Sequence, residues 1–206
     1  MFRWTVVYLV IFTVIVFIVQ SVYPITESLL LISSEVLERP WILVTSIFLH
    51  ADVRHLLGNI FGLIVFGLIL EKVIGYKNFL LVFFVTGIIA GISALFLYDR
   101  VLGASGALFG VIGALTALRP RMIMYIPGLT YLPLVVAAFI YLLLDSAGLF
   151  YPSNVANLGH IAGLMSGAII GFILRKKFPE PKKSKKQKIL SEEELDRWED
   201  EYIIKR

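Results

Sequence analysis

The chain reads as an all-α, polytopic membrane protein built as a bundle of six transmembrane helices, and three observations carry that reading. Of its 206 residues 58% are hydrophobic and 17% charged, with a mean hydropathy of +0.86, well above an ordinary soluble domain. Six apolar stretches are long enough, or nearly so, for a helix to cross a hydrocarbon core, which takes roughly 20 residues. Charge is set apart from them: 11 of the 19 Lys and Arg and 8 of the 15 Asp and Glu fall between Arg175 and Arg206. Residues 1–174 are therefore expected to form the membrane domain and 175–206 a charged cytoplasmic tail.

The first stretch, about 4 to 20, follows Arg3 and has the outline of a secretory signal. It is long, and Gln20-Ser21-Val22-Tyr23 is a poor small-residue cleavage site, so it is read as a retained helix. A long outer loop, 21 to 54, comes next. Its W-I-L-V-T-S-I-F-L-H segment, Trp41 to His50, is too apolar to be solvated, and is expected to be partly embedded and shielded by protein. The remaining stretches are about 55 to 70, 78 to 98, a short one at 103 to 118, 130 to 149 with Pro127, Gly128 and Pro133 near its inner end, and 158 to 174.

Orientation follows from the loops. With the N-terminus in the cytoplasm, the inner segments hold Arg3, Lys72, Lys77, Arg119, Arg121 and the basic run from Arg175 to Lys188, and the outer loops hold only Arg39, Arg54 and Arg100. The positive-inside rule then puts both termini in the cytoplasm. The formal charge of +4 belongs to the tail, whose K-K-F-P-E-P-K-K-S-K-K-Q-K run suits lipid headgroups and makes the bilayer, not nucleic acid, the expected partner. The absence of Cys removes disulfides, thiolate catalysis and Cys-ligated zinc together.

The polar residues left inside this body converge. Odd helices run outward and even helices inward, so His55, Ser105 and His160, which open the second, fourth and sixth stretches, all lie toward the outer face. Asn59 sits one turn below His55 on the same helix face. Such groups need a water-accessible cavity or each other. Gly159, Gly163, Gly167 and Gly171 form one stripe at four-residue spacing, and Gly106 and Gly110 continue into Ala114 in the same relation. Small faces of this kind let helix backbones meet, where ordinary side chains keep axes about 8–10 Å apart. The stripes adjoin His160 and Ser105.

A hydroxyl and an imidazole in contact point to acyl transfer. Neutral His160 would take the Ser105 proton during attack and return it to the leaving amine. The oxyanion would need donors, which His55, the Asn59 amide and the Ser105 backbone N–H supply. No acid lies mid-helix near the outer face, because Asp99 and Asp145 are read as loop-edge residues, so a Ser-His dyad without a carboxylate is expected. Phe109, one turn after Ser105, would hold the imidazole by ring contact instead.

H-A-D-V-R-H-L-L-G-N from His50 to Asn59, G-A-S-G from Gly103 to Gly106, and G-H-I-A-G-L-M-S-G from Gly159 to Gly167 together resemble the rhomboid intramembrane serine proteases. The likeness covers the six-helix body and not the tail. It implies Ser105 as nucleophile, His160 as its base, and His55 and Asn59 in the oxyanion hole. By the same likeness Gly103 and Gly163 support the site, His50 organises the outer loop and Glu71 ties helix contacts at the cytoplasmic end of the second helix. The implied activity is cleavage of peptide bonds in or beside single transmembrane segments of protein substrates, with no metal and no cofactor; with no recognisable organelle signal, the expected location is the cell membrane. Two departures stand out: Trp41-Ile42 occupies the place of a frequent Trp-Arg pair, and Phe109 that of a frequent Tyr.

Other classes are weaker on the same residues. A zinc site from His50, His55 and His160 lacks H-E-x-x-H, and five residues on one helix would turn His50 and His55 about 140° apart. A transporter would be expected to show paired intramembrane charges or similar halves. A non-proteolytic rhomboid-like binder of transmembrane clients would be expected to have lost Ser105 or His160, and both are present.

Overall fold

A computed structural model describes residues 3–126, 130–151, 155–181 and Glu193. The first apolar stretch is helix α1 (Thr5–Val22), and the long loop after it holds α2 (Thr26–Leu29), strand β1 (Leu31–Ile32), α3 (Ile42–Thr45) and a 3₁₀ turn at Ser46–Phe48. Helix α4 (Val53–Gly62) passes through a π-helical turn, Leu63–Gly67, into α5 (Leu68–Ile74), so these make one continuous rod. Then come α6 (Tyr76–Ala94), β2 (Arg100–Val101), α7 (Ser105–Leu118), β3 (Ile123–Ile126), β4 (Thr130–Pro133), α8 (Leu134–Gly148) and α9 (Asn157–Leu174). Among the described residues, four helices are long and apolar enough to cross a membrane: α1, the α4–α5 rod, α6 and α9. Helices α7 and α8 are apolar but shorter, with 14 and 15 residues.

Helix α7 is the axis of the bundle. Ala107, Leu108, Gly110 to Leu115 and Leu118 are buried, so it has no wet face, as expected for a helix apolar all round. Its backbone lies directly on that of α9. A Cβ added at Gly163 would sit on the Gly106 carbonyl oxygen, one at Gly167 on that of Gly110, and one at Gly171 on that of Ala114. Nothing larger than hydrogen fits at those three positions, so the two glycine stripes set the α7–α9 distance. On the other side of α7, Gly110 meets Thr86 of α6 in the same manner. The Thr86 hydroxyl avoids an unpaired state by donating to the Val82 carbonyl at 2.7 Å.

Glu71 is fully buried in α5. Its carboxylate accepts the backbone N–H groups of Arg3 (3.0 Å), Thr5 (3.1 Å) and Val6 (3.1 Å). These are among the orphan donors at the start of α1, so one acidic side chain both caps that helix and fastens it to the bundle. Outward-facing side chains such as Tyr8, Ile15, Phe61, Phe139, Ile169 and Phe172 are exposed. An apolar girdle of this extent has no place in water and marks the lipid-facing surface.

Two features depart from a purely helical reading. Strands β1 and β2 pair antiparallel, Leu31 with Val101 and Ile32 with Arg100, and so tie the loop after α1 to the segment that precedes Ser105. The fifth helix starts at Leu134 and not at 130, because Thr130–Pro133 pairs with Ile123–Ile126 as a hairpin. Pro133 has no N–H to give a helix and holds an extended backbone, φ −59° and ψ 134°, which makes it the joint between strand and helix. Pro127 and Gly128 lie outside the described residues.

Candidate active site

Three chain segments meet at the N-terminal end of α7. Ser105 is its first residue. It is presented by Gly103, whose φ of +112° lies where a side chain is strained, and whose N–H donates to the Ser46 carbonyl at 2.9 Å. The same glycine leaves room for the His55 ring: a Cβ there would come within 2.6 Å of Cε1 and 2.8 Å of Nε2. His160 lies in the first turn of α9, and the stripe at Gly159 and Gly163 lets that turn approach α7. The Ser105 Oγ is 2.8 Å from His160 Nε2, although 55 residues separate them in the chain.

Phe109 stacks on the His160 imidazole, centroids 4.5 Å apart and planes within 16°. Its outer edge meets Tyr141 of α8 in a T-shaped contact at 5.6 Å. His55, Ser105 and His160 line one cleft of about 850 Å³, with Asp52, Arg54, Asp99 and Arg100 around it. Asn59 is buried one turn below His55 and does not line that cleft. Its Nδ2 donates to the His55 carbonyl at 3.0 Å, which leaves one amide hydrogen unused.

His50 is fully buried behind His55, ring centroids 5.0 Å apart. Burial away from water, with the His55 ring close by, lowers its pKa to about 4, so it is neutral at physiological pH. In that form Nδ1–H can donate to the Phe48 carbonyl at 3.3 Å. Sequence reasoning missed what holds this corner. The Gln20 amide at the end of α1 donates to the His50 carbonyl (2.7 Å) and accepts from the His50 N–H (3.1 Å).

One expectation is overturned. No carboxylate was expected at the imidazole, but Asp145, in the last turn of α8 and 9% exposed, has Oδ1 3.1 Å from His160 Nδ1. The geometry is thus serine, histidine and carboxylate in line. The available signal was that Asp145 is the only charged residue in the stretch 130 to 149, and an ionisable group inside an apolar helix needs a named partner.

The Rhomboid domain family profile matches residues 37–177. The chain is similar to RHOMBOID-like protein 6, mitochondrial, of Arabidopsis thaliana, at 36% identity over 137 residues, 65% of this chain and 43% of that protein. It is similar to the putative rhomboid protease YdcA of Bacillus subtilis (strain 168), at 33% over 139 residues, 65% of this chain and 66% of the relative. To the rhomboid protease GluP of the same organism it is 35% identical over 132 residues, 62% of this chain and 24% of the relative. The chain accordingly spans less than two thirds of the length of these relatives. With a domain match over more than half its length and apolar helices that make it a multi-pass membrane protein, the chain belongs to the rhomboid family.

Proposed function

We propose that the protein is an intramembrane serine endopeptidase that cleaves peptide bonds in or near transmembrane segments of membrane proteins. The observation that carries this reading is the 2.8 Å contact between Ser105 Oγ and His160 Nε2 at the mouth of a cleft in an otherwise apolar bundle. Two relatives that bear protease in their names support it.

Ser105 Oγ attacks the scissile carbonyl carbon as its proton passes to His160 Nε2. The resulting oxyanion takes hydrogen bonds from the Ser105 N–H, His55 and the free Asn59 amide hydrogen. Collapse breaks the C–N bond, and the proton on His160 leaves with the new amine. Water then attacks the acyl-serine, gives one proton to His160, and releases the carboxylic acid as Ser105 is reprotonated. Phe109, His50, Gly103 and Gly163 support the site by holding ring and helix positions. Six spans with both termini in the cytoplasm, a domain over 1–174, a charged tail over 175–206 and residence in the cell membrane complete the proposal.

Fluorophosphonate labelling of the full chain in lipid, with peptide mapping, tests it without a known substrate. The expected adduct is on Ser105 and disappears in Ser105→Ala and His160→Ala. A folded protein whose cleft admits the fluorophosphonate and yet stays unlabelled would instead point to client binding without cleavage.

A further inference from the structure

We propose that Asp145 is the positioning residue of a Ser105–His160–Asp145 triad, a reading that rests on the proteolytic role given above to Ser105 and His160. Three observations meet on it. Asp145 and His160 are each nearly removed from solvent, with side chains 12% exposed, and their Oδ1–Nδ1 separation is 3.1 Å. A carboxylate accepts hydrogen bonds and cannot donate them, so Nδ1 must carry the hydrogen and donate to Asp145. That choice leaves the Nε2 lone pair for the Ser105 O–H, 2.8 Å away on the other side of the ring.

The register of the two helices is specific for this contact. Helices α8 and α9 follow one another in the chain. Asp145 and Gly148 are three residues apart on α8, as are Asn157 and His160 on α9, so each pair lies on one helix face. The Asn157 side chain occupies the space over Gly148, where an added Cβ would meet its amide atoms at 2.6 to 2.9 Å. The Asn157 backbone N–H also donates to the Tyr98 hydroxyl at 3.2 Å. One latch, Gly148 against Asn157, thus sets the second contact, Asp145 against His160, one turn deeper.

A carboxylate placed in an apolar helix is costly, and a plain lipid-facing side chain would avoid the cost. Asp145 returns it in the reaction. When His160 Nε2 takes the Ser105 proton the ring becomes a cation, and Asp145 Oδ1 faces that charge while the Nδ1 proton stays in place. Phe109 covers the ring face and restricts tilt, and Asp145 restricts rotation in the plane. The two constraints are complementary.

The test uses the full chain in lipid nanodiscs with ¹⁵N-labelled histidine, read with the rate of fluorophosphonate labelling. At neutral pH the His160 ring of the unaltered protein should show the Nδ1–H tautomer with a hydrogen-bonded ring proton. In Asp145→Asn the asparagine amide can instead donate to Nδ1, which places the hydrogen on Nε2. The labelling rate at Ser105 should then fall at least about tenfold with the fluorophosphonate's binding constant little changed. Asp145→Glu should regain part of that rate, because it restores an acceptor-only carboxylate. An Nε2–H tautomer in the unaltered protein would overturn the proposal. So would a labelling rate in Asp145→Asn within about twofold of the parent. If Asp145→Asn does not fold, the parent tautomer and the Asp145→Glu rate decide the matter. An unlabelled Ser105 in the folded parent would sink the protease reading alone, because the tautomer still reports whether Asp145 holds His160.

Discussion

Replacing Gly163 by Ala puts one methyl group between α7 and α9, and its consequence can be worked from the contact it meets. The new Cβ would overlap the Gly106 carbonyl oxygen, with the Gly106 carbon at 3.1 Å behind it. Both are backbone atoms, so no rotamer change relieves the clash. Ordinary van der Waals contact requires α9 to retreat from α7 by about 1 Å. Ser105 precedes Gly106 and His160 lies one turn before Gly163, so the Ser105–His160 pair shares that displacement. Its separation would grow from 2.8 Å toward roughly 3.8 Å, beyond a useful hydrogen bond. A misplacement of about 1 Å costs on the order of 100-fold in rate. Stability should change less, because about 1–3 kcal/mol of overpacking is offset by about 1 kcal/mol of better helix propensity. The assay is the fluorophosphonate labelling rate at Ser105 alongside the thermal midpoint. Gly58→Ala, where an added Cβ meets nothing within 4 Å, serves as control. A Gly163→Ala protein that labels within about threefold of the parent would refute the idea that the glycine stripe sets the Ser105–His160 distance.

Three further outcomes are expected. His50 has its pKa lowered by burial to about 4, so protonation favours the unfolded chain: its stabilising contribution is complete above about pH 6.5 and is lost as the pH falls toward 4. The loss is about 3 kcal/mol, and thermal midpoints measured across that window should fall steadily in the parent and less in His50→Gln. Glu71→Gln exchanges a carboxylate that accepts three backbone N–H groups for an amide with one oxygen, and should cost about 3 kcal/mol by thermal unfolding while labelling at low temperature persists. Phe109→Ala removes the ring stacked on His160 and should slow labelling about five- to tenfold, with Phe109→Tyr near the parent rate; equal rates in all three would deny the ring a role.

Much of the architecture was legible because it is local. Apolar runs name helices, and the Gly stripes on α7 and α9 name the faces that touch, since four-residue spacing means one helix face wherever the helix lies. The convergence of Ser105, His55 and His160 was readable for the same reason: each lies at or near the start of every second apolar stretch. The pairing of β3 with β4 was less visible, because Thr130 to Pro133 runs without a charged residue into the apolar helix after it and the partner strand is set only by tertiary contact. The role of Gln20 was not legible, because its partner, the His50 backbone, lies 30 residues away in the chain.

Asp145 marks the boundary between the two kinds of information. Composition and spacing by themselves determined a multi-pass helical body, a segregated charged tail, and a serine and a histidine at one depth with the glycines needed to let them touch. What Asp145 touches depends on the rotation of α8 about its own axis and on its register against α9. Those quantities are decided by contacts such as Gly148 with Asn157, between side chains on different helices. Helix period fixes which residues share a face, but only tertiary contacts decide which face another helix meets. A residue that reads as the polar end of a helix is thereby placed 3.1 Å from the imidazole.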